Sequence, residues 1–135
     1  MIGQGLLAGL VSGIVLGLLL KAVQYATGAL VYTLLLNIDF VPLLPQRLPE
    51  TFEFALHLVV ALALGVLYRF GIEYWRHPWL AGIAIGAASS LLFFPLTMLS
   101  TRVPEITDMT AYMYWLAGHL VYGAVLGMMG RTIIR

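Results

Sequence analysis

Five stretches of this chain, residues 1–20, 22–38, 54–68, 77–101 and 109–130, contain no Asp, Glu, Lys or Arg. A crossing of a bilayer needs about 20 apolar residues. A water-soluble domain carries roughly a quarter charged residues, whereas here 10% are charged and 61% are hydrophobic. In hydrocarbon a backbone must satisfy its own hydrogen bonds, and a helix is the simplest element that does so. The expectation is therefore an all-α integral membrane protein, with residues 1–135 forming one compact transmembrane domain.

The spans are expected at about 3–22, 52–70, 79–100 and 111–130. Residues 3–36 are interrupted only by Lys21, too long for one crossing and too short for two. A helix to about Lys21 or a little beyond fits, followed by a tilted or interfacial segment through 36. "VPLLPQRLPE" after it cannot be a regular helix interior. Four spans place both termini on one side, with Arg69, Arg76, Arg131 and Arg135 opposed only by Glu73. Arginine near span ends marks the cytoplasm, so both termini are expected there, in a plasma (inner) membrane. The start "MIGQGLLAGLVSG" lacks a basic leader region, and no cleaved signal is expected.

The chain also carries an internal echo. "HLVVALALGVLYR" (57–69) and "HLVYGAVLGMMGR" (119–131) agree at six of thirteen positions, each running from a histidine to an arginine. "RLPE" (Arg47 to Glu50) precedes the second span, and "RVPE" (Arg102 to Glu105) precedes the fourth. Leu-Ala-Gly, with a glycine four residues on, opens the first span (Gly9, Gly13) and the third (Gly82, Gly86). Two spans per half give two parallel repeats (2+2), about 1–72 and about 77–135, related by an axis along the membrane normal. Gly5, Gly9, Gly13 and Gly17 line one helix face, and Gly82, Gly86 and Ser90 do the same, as do Gly123 and Gly127. Such stripes let helix backbones approach closely.

"LHLVVALALGVLY" (56–68), "LAGIAIGAASSLLFFPL" (80–96) and "AGHLVYG" (117–123) resemble the YagU-like family of small inner-membrane proteins. His57, Gly65, Tyr68, Gly82, Phe94, Pro95, Leu96, Gly118 and His119 occupy the matching positions. The resemblance covers roughly 80 residues, and the first outer loop is built differently. It implies a membrane location and no particular activity.

The residues that attract attention are the polar ones inside spans. Each histidine lies twelve residues, hence about 18 Å, along its helix from an arginine. In a core about 30 Å thick both would sit slightly outward of the midplane. Intramembrane ionisable groups are costly and face a bundle interior or wet cavity. Glu53 lies one turn before His57, and Lys21 is expected at a similar height. A Lys21–Glu53–His57 cluster with His119 follows as the candidate site, with Tyr122, Ser89 and Ser90 in support. The plainer reading has each of these groups snorkelling or bonding a neighbouring carbonyl.

There is no cysteine, and the net charge of +1 makes no case for nucleic acid. No His-Glu-x-x-His, Gly-x-Ser-x-Gly, P-loop or dinucleotide fingerprint is present, so no enzyme is expected. Three functions remain open. The chain is a conduit or carrier for protons, ions or a small solute. Alternatively it is an accessory or assembly subunit of a membrane complex. Third, it is a haem b protein with His57 and His119 as the axial, metal-binding pair. Four helices in so short a chain leave much surface for lipid, a homo-oligomer or a larger complex.

Overall fold

The structure, a computed structural model, describes residues 1–39, 41 and 48–134; Arg47 and Arg135 of the sequence reading lie outside them. The described residues form six helices and no strand: α1 (Ile2–Thr27), α2 (Val31–Leu36), α3 (Glu50–Trp75), α4 (Pro78–Ser90), α5 (Phe93–Met98) and α6 (Met109–Ile134). Three segments, Ile2–Thr27, Glu50–Trp75 and Pro78–Met98, are long and apolar enough to cross a membrane. Their outer faces expose Leu18, Val59, Val60, Leu67, Leu80 and Leu91, a coat that suits lipid. The chain has the build of a membrane protein.

Two element boundaries differ from the sequence reading. α1 does not end near Lys21 with a tilted extension. It runs to Thr27 and stops at Gly28, whose φ of 79° returns its N–H to the Gln24 carbonyl. That left-handed geometry is open to glycine at little cost. The chain then turns into α2, held to α1 by Gln24: its Oε1 accepts the Thr33 N–H at 2.8 Å, and its Nε2 donates to Thr33 Oγ1 at 2.9 Å. Val31 and Leu34 of α2 are fully buried, so this segment is a cap over one end of the bundle.

The third span, read as one helix over 79–100, is broken at 91–92 between α4 and α5. Pro95 explains the break. A proline has no N–H to give to the carbonyl four residues back, and its ring crowds that carbonyl. The Leu91 carbonyl takes the Phe94 N–H instead, at 3.3 Å. This frees the Ser90 carbonyl, which accepts the Trp115 indole N–H from α6 at 2.9 Å.

Packing is most extensive between α4 and α6 and between α1 and α3, with α1 against α6 joining the pairs. Glycines set both main seams. A methyl on Gly9 would strike the Ala61 carbonyl, and one on Gly82 would strike the Gly123 carbonyl. Gly13 faces Ala61 and His57, as Gly86 faces Gly123 and the His119 backbone. On α1, the glycine face meets α3, while Ala8, Ser12, Leu16 and Leu20 form the next face. Leu16 and Leu20 meet Gly118 of α6.

The bundle has two chemically distinct ends. At one, Arg69 Nε donates to Gln4 Oε1 at 3.0 Å, and the Tyr68 hydroxyl donates to the Pro78 carbonyl at 3.0 Å beside Gly130. At the other stand Lys21, α2, Glu50 and the loop carrying Arg102.

Candidate functional site

Both histidines line one cavity of about 380 Å³, bounded by α3, α6, the α4–α5 break and α2. His119 is 4% exposed, whereas His57 is half-buried. Their hydrogen bonds differ. His57 Nε2 lies 2.9 Å from the Gly13 carbonyl across the α1–α3 seam. His119 Nδ1 lies 2.8 Å from the Trp115 carbonyl one turn back on its own helix. A carbonyl only accepts, so the neutral rings are opposite tautomers. His57 carries its proton on Nε2 and leaves Nδ1 bare; His119 carries it on Nδ1 and leaves Nε2 bare.

Each ring is also fixed by an aromatic neighbour. The indole of Trp115 lies against His119 with centroids 4.4 Å apart, and Phe54 meets His57 edge-on at 5.6 Å. The rest of the cavity wall is apolar, with Leu16, Leu64 and Leu96 among its residues. Tyr122 belongs to that wall, and its buried hydroxyl has no hydrogen-bond partner among the described residues. Val59, Val60 and Leu92 line the cavity and are also exposed, so it opens sideways between α3 and the α4–α5 break.

The expected Lys21–Glu53–His57 cluster is not formed. Lys21 Nζ pairs instead with Glu50 Oε1 at 2.6 Å, and Tyr32 donates its hydroxyl to the same oxygen at 2.9 Å. Lys21 also stands 5.6 Å from the Tyr32 ring centroid. The reason is reach: the long lysine side chain carries its ammonium to the first acid of α3. Glu53, half-buried and three residues further along α3, lines both the histidine cavity and a second, more polar chamber of about 600 Å³. Lys21, Tyr32, Glu50 and Arg102 bound that outer chamber. Leu36 and Asn37 also line both, so the two spaces adjoin beneath α2.

Ser89 and Ser90 bond their own helix, Ser89 Oγ to the Ile85 carbonyl at 2.8 Å and Ser90 Oγ to the Ala87 carbonyl at 2.6 Å. Ser89 nonetheless lines the cavity. The paired Arg-x-Pro-Glu motifs do different jobs. Glu50 opens α3 seven residues before His57, while Glu105 lies fourteen before His119, in the turn ahead of α6. Asp108 caps α6 there, its Oδ1 accepting the Ala111 N–H at 3.0 Å.

One polar group escaped the sequence reading. Asp39, just after α2, receives both Nε and Nη2 of Arg102, with Nε at 3.1 Å, and the Ser100 hydroxyl at 2.5 Å. Asn37 Nδ2 donates to Asp39 and to Ser100, at 3.2 Å each. This network fastens the residues just after α2 to the loop between α5 and α6. No local pattern links Asn37 to Ser100, 63 residues on; only the fold does.

Arg102 and Ser100 hold the Asp39 carboxyl down, at about 2 against an ordinary 3.8. A lowered carboxyl stabilises the fold above its unfolded value and loses that contribution as pH falls toward the folded one. Thermal stability in detergent is therefore expected to fall between pH 4 and 2, with Asp39→Asn flattening the decline. Arg102 is half exposed, so water screens the pair and the contribution is small. An unchanged acid profile in Asp39→Asn would remove the network from the stability of this end.

Haem does not fit the pair as held. His119 has the arrangement of a metal-ligating imidazole, Nδ1–H on a carbonyl and Nε2 free. His57 has the reverse, so matched Nε2 ligation would require its ring to leave the Gly13 carbonyl. Among the described residues no group of three His, Asp or Glu is placed to hold a metal ion. In comparisons with known proteins, no family, curated protein or solved structure matches the chain.

Proposed function

We propose that the chain is a four-span inner-membrane protein of two parallel two-helix repeats, with both termini cytoplasmic, acting as a proton conduit or proton-coupled carrier of a small solute. The observation that carries this reading is that an outer polar chamber adjoins a cavity lined by both histidines, with Glu53 in the wall of each. Glu53, His57 and His119 then offer three successive proton acceptors. The bare nitrogens, Nδ1 of His57 and Nε2 of His119, are the ones free to take a proton. Near neutrality imidazole is the side chain best suited to exchange one. Tyr68, Ile72 and Leu126, all fully buried, fill the bundle toward the arginine-rich end.

The repeat draws support from the seams. Gly9 meets Ala61 as Gly82 meets Gly123, and Gly13 meets the His57 ring as Gly86 meets the His119 backbone; the α3 and α6 partners lie 62 residues apart and the α1 and α4 glycines 73 apart. α6, 26 residues long and about 39 Å in length, supplies the fourth span. Arg69, Arg76 and Arg131 at the closed end favour a cytoplasmic assignment for it.

The test is proton entry into proteoliposomes under a potassium-diffusion potential, read with an internal pH dye. The wild type is expected to conduct, and His57→Ala/His119→Ala to fall to the rate of protein-free vesicles. Equal rates for wild type and double variant would reject the reading.

A further inference from the structure

The histidine cavity and the outer chamber share one acidic residue. Glu53 stands in the wall of both, as do Leu36 and Asn37. The two cations that line the chamber among the described residues are already engaged, Lys21 by Glu50 and Arg102 by Asp39. The Glu53 carboxylate joins neither pair, and it has no hydrogen-bond or ion-pair partner among the described residues. An ionisable group at the edge of an apolar space is costly to leave unanswered, and a functional role is its default reading. On the cavity side the wall turns to Leu64, Leu92 and Leu96.

We propose that the two spaces together bind one free amphiphilic amine, with its ammonium at Glu53 and its single apolar chain in the histidine cavity. The charge of the head follows from the walls: the carboxylate left over is answered by a positive charge. A head bearing a carboxylate or a phosphate is disfavoured, because Lys21 and Arg102 would have to leave Glu50 and Asp39 to meet it. At about 380 Å³ the cavity falls in the size range of sites for small organic molecules. Its lateral opening beside Val59, Val60 and Leu92 admits a chain straight from the bilayer. The inference deepens the carrier reading by naming its solute; it rests on that reading for transport but not for binding.

Trp115 lines this cavity yet is 2% exposed, so it reports on chains inside the protein rather than in the bilayer. With Trp75→Phe and Trp79→Phe it becomes the single tryptophan, and bromine at the end of an alkyl chain quenches it at short range. The probes are ω-bromoundecyl trimethylammonium, ω-bromoundecanol and ω-bromoundecyl sulfate, which share a chain and differ in head charge. Their concentrations are matched in the lipid phase of phosphatidylcholine nanodiscs, with protein-free nanodiscs as reference. The ammonium probe is expected to quench at about fivefold lower concentration than the alcohol, the scale of one partly exposed ion pair, and the sulfate to quench least. Glu53→Gln should erase the ammonium's advantage while the alcohol quenches as before, which shows the cavity intact. Glu105→Gln removes an exposed acid of the loop that carries Arg102, and should leave the advantage in place. Adding phosphatidylethanolamine to the nanodiscs should not weaken the ammonium probe. Equal quenching by the three probes, strongest quenching by the sulfate, or an advantage that survives Glu53→Gln or disappears in Glu105→Gln would overturn the proposal. So would competition from phosphatidylethanolamine, which would make the occupant a lipid headgroup. Binding is read here without a gradient and proton entry is read without a probe, so either idea can fail alone.

Discussion

Gly82→Leu and Gly9→Leu should each abolish the folded monomer in mild detergent, whereas Gly3→Ala and Gly71→Ala should leave it intact. A Cβ at Gly82 would meet the Gly123 carbonyl and the Gly127 nitrogen, and one at Gly9 the Ala61 carbonyl and the Leu62 backbone. These are backbone atoms of a packed helix and cannot swing aside. Overpacking of a core commonly costs 1–3 kcal/mol for added methylenes, and a leucine forced between two backbones exceeds that range. Gly3 and Gly71 have nothing within 4 Å of an added Cβ. Alanine there gains helix propensity of about 1 kcal/mol. Melting curves of the four variants decide it, and a stable Gly82→Leu would show that α4 and α6 do not pack through this seam.

Trp115→Ala should be the most damaging single truncation, at about 3–5 kcal/mol. The residue is 2% exposed, stacks on His119, and contacts Phe93 at 6.3 Å between centroids. Lipid is itself apolar, so the loss comes from packing and from the Ser90 carbonyl left without its indole partner. Trp115→Phe isolates that second part, at about 1–3 kcal/mol for an unsatisfied buried carbonyl. Denaturation in mixed micelles should rank wild type above Trp115→Phe above Trp115→Ala. If Trp115→Phe matched the wild type, the hydrogen bond to the broken helix would contribute nothing.

What was legible in the sequence was local. Runs without charge mark where helices lie in hydrocarbon, and glycines every fourth residue mark the faces on which Gly9 and Gly82 meet other backbones. Counting turns from Arg69 and Arg131 puts the two histidines at matching positions along their helices. The break before α5 was written in Pro95, yet hydropathy alone runs straight across it. The turn at Gly28 was hidden in the same way, because residues 22–36 are apolar on both sides of it. Lys21 was matched to the wrong glutamate since Glu50 and Glu53 differ by less than one turn, and only side-chain reach separates them. The Asp39–Ser100–Arg102 network joins loops far apart in sequence, and nothing local announces such pairs.

The hydrogen bonds of the two imidazoles also bear on how the chain is assembled during synthesis. His57 is satisfied by Gly13, within the first half, and His119 by Trp115, on its own helix. Helices in lipid insert as separate units and associate afterwards. The α1–α3 hairpin can therefore close around His57 while α4 and α6 are still being made. His119 enters the bilayer with one ring nitrogen already engaged. Neither half exposes a wholly unpaired imidazole to the acyl chains while waiting for the other. Leu16 and Leu20 against Gly118 join the two helix pairs.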